Sequence, residues 1–155
     1  MLAKTKKPPL QSRTRKPKTP RKKRSSLFPE SQVQKGLLEW LALYNYEVRR
    51  RVIKIDNEGC RNNILAVVLG LHPGASDLFI AWPTKLYAGL WLEIKRPNYK
   101  VTASGREHYE RQCTFIQLMR DSGYWADMGI GIDQCMDIVT KYLNGVPCIY
   151  LSLTK

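Results

Sequence analysis

Two stretches decide the reading of this chain: Pro73-Gly74-Ala75-Ser76-Asp77-Leu78-Phe79-Ile80 and Gly89-Leu90-Trp91-Leu92-Glu93-Ile94-Lys95-Arg96-Pro97. Side chains alternate faces along a strand. Leu90, Leu92 and Ile94 therefore point one way, and Trp91, Glu93 and Lys95 the other. Pro73-Gly74 is a turn signal that sets Asp77 at a strand start. The linker Pro83 to Gly89 has the length of a hairpin loop, so pairing of the two strands brings Asp77 beside Glu93 and Lys95. A salt bridge on a solvated sheet face fits the same pattern. Against it, both acids lie inside apolar runs.

The residue types suit one chemistry. A phosphodiester is anionic and repels hydroxide. A hard divalent cation with oxygen ligands neutralises it and acidifies a bound water, and Mg²⁺ takes one or two carboxylates plus waters and substrate oxygens. Asp77 and Glu93 would supply those carboxylates, with Mg²⁺ or Mn²⁺ as the expected cofactor. Lys95 would orient the attacking water or steady the developing charge.

Taken with their flanks, these stretches resemble the VRR-NUC branch of the PD-(D/E)xK nuclease superfamily. The resemblance runs through Pro73 to Phe79, Gly89 to Lys95, Gln112 at a helix start and Gly123-Tyr124. Upstream, Glu30-Ser31-Gln32-Val33-Gln34 is similar to the opening helix with its acidic residue, and Asn57-Glu58-Gly59 to the segment before a small middle helix. It covers about Pro29 to Leu143. It implies a restriction-endonuclease-like α/β fold, a central mixed β-sheet flanked by helices. It implies that Asp77, Glu93 and the Ile94 carbonyl hold the metal and that Lys95 contacts the water nucleophile. It further implies that Glu30 reaches toward the metal's water shell or Lys95, and that Gln112 orients the lysine or the phosphate. Taken alone, Glu30 is an acid favoured in a helix's first turn, and Gln112 is an ordinary helix residue.

Charge is strongly uneven along the 155 residues. Residues 1 to 24 hold eleven of the 26 cations and no anion, leaving fifteen cations against 13 anions elsewhere. With Pro8, Pro9, Pro17 and Pro20 and few large apolar residues, this segment cannot bury enough surface to fold. It reads as a disordered basic arm, residues 1–26, ahead of one nuclease-like domain, 27–155. Arg21, Lys22, Lys23 and Arg24 would bind phosphates without reading sequence. Pro20 to Arg24 also fits a nuclear import signal, which applies if the host is eukaryotic.

At 43% hydrophobic the chain can bury a core. It has no apolar run near the ~20 residues a membrane span needs, and Met1-Leu2-Ala3-Lys4 does not open a signal peptide. Cys60, Cys113, Cys135 and Cys148 lack zinc spacing and read as buried free thiols in a reducing, intracellular compartment.

The remaining elements follow from periodicity. Pro29 to Tyr44 is helical, with Val33, Leu37, Leu41 and Tyr44 on one stripe; Ser31 to Gln34 forms a capping box, or Pro29 is the first helical residue. Tyr46 to Asp56 reads as a strand, whose Arg49, Arg50 and Arg51 line an edge or substrate groove, or a solvated face. Cys60 to Leu69 suggests a short helix. Strands at Asp77 to Trp82 and Leu90 to Arg96 are followed by a polar segment in which Lys100 can touch substrate backbone. Glu107 to Ser122 reads as a helix with Tyr109, Cys113, Ile116 and Met119 at helical spacing. Tyr124 to Ile132 reads as a strand, and Asp133 caps a helix to Leu143 that Asn144-Gly145 ends. Val146 to Leu153 suggests an edge strand or a docking segment. Trp82, Trp91, Tyr99 and Tyr109 lie near the proposed site and can stack on unpaired bases; of these Trp82 reads rather as core and Trp91 as core or stacking surface, while His108 reads as a surface residue.

Two functions from different classes fit. One is a metal-dependent DNA endonuclease, acting on a branched or flapped substrate and possible as a homodimer by the resemblance. The other is a non-catalytic nucleic-acid-binding protein dominated by the arm. Two carboxylates facing phosphate favour the first, because they repel it unless a cation intervenes.

Overall fold

Val33, Leu37 and Leu41 recur at helical spacing, and burying them sets how the first helix lies on the sheet. In the computed structural model, which describes residues 29–55 and 72–147, they are buried on helix α1, Glu30–Tyr44, with Pro29 at its N-cap. Tyr44 leaves the expected stripe: it is exposed and stacks on Trp40 at 4.8 Å, one turn back. Neither a capping box nor a helical Pro29 forms, since the α1 N-cap has no side-chain hydrogen bond.

The expected strand from Tyr46 is instead a helical turn, α2, Tyr46–Arg49, followed by a short strand β1, Val52–Lys54. The reason is local. The Asn45 side chain accepts the Val48 N–H at 3.2 Å, an N-cap, and Glu47 pairs with Arg51 at 3.2 Å one turn on. Arg49 and Arg50 therefore close a helix rather than line a strand edge.

Strands β2, Leu78–Ile80, and β3, Leu90–Lys95, pair antiparallel, and β4, Trp125–Ile130, runs parallel to β3. The sheet order β1-β2-β3-β4 is mixed. The parallel step needs a crossover, which helix α3, Arg106–Asp121, provides. The last described helix, α4, is Gly131–Leu143; Ile130 occupies its N-cap and Asp133 lies in its first turn, so Asp133 is not the cap expected.

Leu90, Leu92 and Ile94 are each at most 1% exposed and pack with Val33, Leu37 and Leu41 of α1 and with Cys135, Val139 and Tyr142 of α4. Fully burying such side chains contributes roughly 1.5–3 kcal/mol each. Gly129 permits the approach of α4: a Cβ there would sit 2.5 Å from the Cys135 sulfur. The other sheet face carries aromatics under α3. Trp91 meets Phe79 at 4.5 Å and Phe115 at 5.2 Å and is half-buried among these rings rather than part of the fully buried core. Trp82 is half-buried, with the Arg51 guanidinium 4.8 Å over its ring.

On α3 the buried residues are Gln112, Phe115 and Ile116. Cys113 is exposed, one position off the buried face, contrary to the expectation of a buried thiol, whereas Cys135 is buried. The arm, the helix at Cys60 to Leu69, the Asn57-Glu58-Gly59 segment, Cys60, Cys148 and most of the expected last strand lie outside the described residues. No described helix is long and apolar enough to cross a membrane.

Candidate active site

The turn before β2 positions the first acid. Ala75 N–H donates to the His72 carbonyl at 3.0 Å, and Gly74 takes φ +95°, a left-handed value that glycine adopts without steric cost. A side chain there would also strike the Arg111 backbone, 2.9 Å from the Cβ position. Asp77 follows, one residue before the Leu78–Leu92 pair. It thus stands opposite Glu93, and the alternation that puts Phe79 against Trp91 puts both acids on one sheet face. Asp77 Oδ2 accepts the Ile94 N–H at 2.7 Å, which fixes its carboxylate at the end of β3.

Glu93 and Lys95 are the unusual pair. Both are charged types on a buried strand, 1% and 4% exposed. Lys95 Nζ donates to Glu93 Oε1 at 2.7 Å, and Gln112 Nε2 of α3 donates to the same oxygen. Glu93 Oε2 and Gln112 Oε1 are buried without a partner. Burial, and then the charge of Asp77, push the Glu93 carboxyl up to about 7, against the pull of Lys95. For Lys95, burial works against the ammonium, but the Glu93 bond and charge, joined by Glu30 and Asp77, outweigh it and raise its pKa.

Burial and the facing carboxylate thus outweigh the one ammonium bonded to Glu93. A hard cation with oxygen ligands fits this donor set. It would occupy the unsatisfied Oε2 lone pairs and offset the repulsion that raises Glu93. Asp77 and Glu93 are the side chains able to hold it. Among the described residues no three His, Cys, Asp or Glu side chains form a cluster able to hold a metal ion, so substrate oxygens and water would have to complete the shell.

The other expected residues divide. Glu30, exposed at the first position of α1, lies close enough for its charge to act on Glu93 and Lys95. Gln112 reaches Glu93 rather than standing as an isolated helix residue. Ile94 is tied in through its N–H, and its side chain faces the core. Lys100 is exposed on the segment between β3 and α3. Arg49, Arg50 and Arg51 precede β1 at the Ile80 end of β2, roughly 10 Å along the strand from Asp77 at ~3.4 Å per residue. Arg50 and Arg51 are paired with Glu47 there. Arg21 to Arg24 lie outside the described residues.

Two further side chains flank the site: Tyr99, expected near it, and His108, exposed as expected. The Lys95 ammonium lies 5.2 Å over the Tyr99 ring. His108 sits one turn before Gln112 on α3; burial, then Lys95 and Arg111, lower its pKa, against Glu30 and Asp77. The i, i+4 spacing to Gln112 was the available signal for His108.

Among the described residues a four-stranded mixed sheet is flanked by helices, and Asp77 and Glu-x-Lys share one of its faces, an α/β architecture in keeping with the restriction-endonuclease-like fold expected. Its form is VRR-NUC-like. A solved structure described as "VRR_NUC domain protein" superposes with a TM-score of 0.62 at 21% identity, over 76% of this chain and 89% of that one. Compared with protein-family models and with curated proteins, the sequence finds no match.

Proposed function

We propose that this chain is a divalent-metal-dependent nuclease that hydrolyses DNA phosphodiesters as an endonuclease, with branched or flapped DNA as its preferred substrate. The VRR-NUC-like fold supports nuclease-type function in general. The observation that carries the reading is the placement of Asp77 opposite Glu93 with Lys95 bonded to Glu93 in a buried site. A protein that only binds nucleic acid has no use for two facing acids at that position, and burying them costs stability.

Asp77 and Glu93 would hold a Mg²⁺ or Mn²⁺ ion, which when bound neutralises phosphate charge and lowers the pKa of water. The Ile94 N–H keeps the Asp77 carboxylate aimed at the site. Gln112 and Lys95 fix the Glu93 carboxylate through one oxygen and leave the other for the ion. Lys95 steadies negative charge developing on the phosphate or holds the attacking water. Glu30 contributes at the entrance of α1. The arm, Lys100 and other surface cations add salt-sensitive affinity for backbone phosphates.

The test is direct. Purified protein is incubated with end-labelled single-stranded, duplex, flap and four-way-junction DNA in EDTA, Mg²⁺ or Mn²⁺. Cleavage confined to the metal samples and absent in Glu93→Ala is expected. Binding without cutting under every condition favours the non-catalytic alternative.

A further inference from the structure

The segment joining β3 to α3 does more than connect them. Pro97-Asn98 turns the chain sharply, with Asn98 at φ +60°, the one non-glycine left-handed residue among those described. The Tyr99 N–H then donates to the Arg96 carbonyl at 3.2 Å. The turn brings the half-buried Tyr99 ring back over the end of β3, where the Lys95 ammonium lies 5.2 Å from its centroid. From α3, Tyr109 backs that ring at 6.4 Å and 31°. Asparagine tolerates this backbone better than most residues, yet the conformation is uncommon and persists where surrounding contacts demand it.

Lys95 is thereby held between two unlike partners. Glu93 Oε1 binds one N–H at 2.7 Å, and the negative face of an aromatic ring attracts the cation from another direction. A lysine chain has four rotatable bonds, and a hydrogen bond to one oxygen does not by itself set the direction of the other N–H groups. The ring supplies a second, fixed direction of attraction. Resting on the nuclease reading above, we propose that Tyr99 is a positioning residue: its ring clamps the Lys95 ammonium against Glu93 and aims it at the reacting phosphate.

The experiment compares full-length wild type with Tyr99→Phe, Tyr99→Leu and a series of Tyr99→fluorophenylalanine variants with increasing numbers of ring fluorines. Fluorination drains the negative face while nearly preserving ring shape. The single-turnover cleavage rate in Mg²⁺ should stay within about twofold in Tyr99→Phe and fall about 3- to 30-fold in Tyr99→Leu. It should decline stepwise with fluorine number, while DNA affinity measured by fluorescence anisotropy in EDTA stays constant. In metal-free protein, the Lys95 ε-methylene NMR resonances should be shifted upfield by the ring in wild type and Tyr99→Phe, and not in Tyr99→Leu. A rate indifferent to fluorination, or Lys95 resonances that do not respond to loss of the ring, overturns the clamp. A wild type that cuts no DNA overturns the nuclease reading instead, and the resonances still decide whether the ring holds the lysine.

Discussion

Lys95 Nζ lies 2.7 Å from Glu93 Oε1, inside a pair whose side chains are 6% and 2% exposed. A buried ion pair of this kind is weak evidence for stability, because desolvation consumes most of the Coulombic gain, whereas removing one partner is costly. Its presence on an otherwise apolar strand points to function.

Removing the lysine should separate the two roles. Lys95→Ala strands Glu93 beside Asp77 and pushes its carboxyl higher still. The variant is expected to lose cleavage and to be less stable than wild type at pH 8, with the deficit shrinking toward pH 5 as Glu93 protonates. Urea unfolding at the two pH values measures this, and an equal deficit at both contradicts it.

Glu93→Gln tests the other member of the pair. It relieves a desolvated charge that faces Asp77 but leaves the buried Lys95 ammonium without its anion, so the two effects oppose in stability and activity is the decisive readout. The amide keeps the shape, and the variant is expected to cut DNA at least about 10²-fold more slowly, in line with loss of a key electrostatic contact. A folded variant that cuts at the wild-type rate would remove the site from consideration.

The pH dependence of the metal-free protein follows from the same group. The Glu93 pKa is about 7 when folded, raised from an ordinary 4.5. The folded state therefore binds its proton more tightly than the unfolded chain. That contribution is complete below about 4.5 and is lost as pH rises to about 7. Each unit is worth ~1.4 kcal/mol. In EDTA the Glu93-linked part of the unfolding free energy, obtained as wild type minus Glu93→Gln, should fall across this window. Mg²⁺ should restore more at pH 8 than at pH 5. A difference that stays flat from pH 4.5 to 7 contradicts the raised carboxyl.

Much of this was legible in the sequence, because the decisive signals are local. Alternation along Leu90 to Lys95 placed Glu93 and Lys95 on one face, and Pro73-Gly74 marked the turn that delivers Asp77. Where the reading failed, a short-range device overrode composition. The β-branched residues after Tyr46 suggested a strand, but the Asn45 cap and the Glu47–Arg51 pair made a helical turn. Asp133 resembled a cap, yet α4 begins at Gly131, with φ +76°. Tyr99 was expected near the site as a stacking surface, but its contact with Lys95 was not, because that contact depends on a left-handed residue at Asn98 and no periodicity announces such a turn.

Close packing of α4 on β4 gives a purely structural prediction. Gly129→Ala places a methyl carbon 2.5 Å from the Cys135 sulfur, an overpacking that costs about 1–3 kcal/mol. Thermal unfolding of the variant checks this. Gly123→Ala, where no atom lies within 4 Å of the added carbon but φ is +84°, reports the cost of backbone strain without the clash.

The central claim is that Asp77 and Glu93 share one divalent ion, and a Mn²⁺ titration followed by electron paramagnetic resonance tests it most directly. At pH 7.5 wild type should bind one Mn²⁺ that is lost in both Asp77→Asn and Glu93→Gln, each variant remaining folded by circular dichroism. Mn²⁺ binding that survives either substitution undiminished would show that the two carboxylates do not act on a common ion.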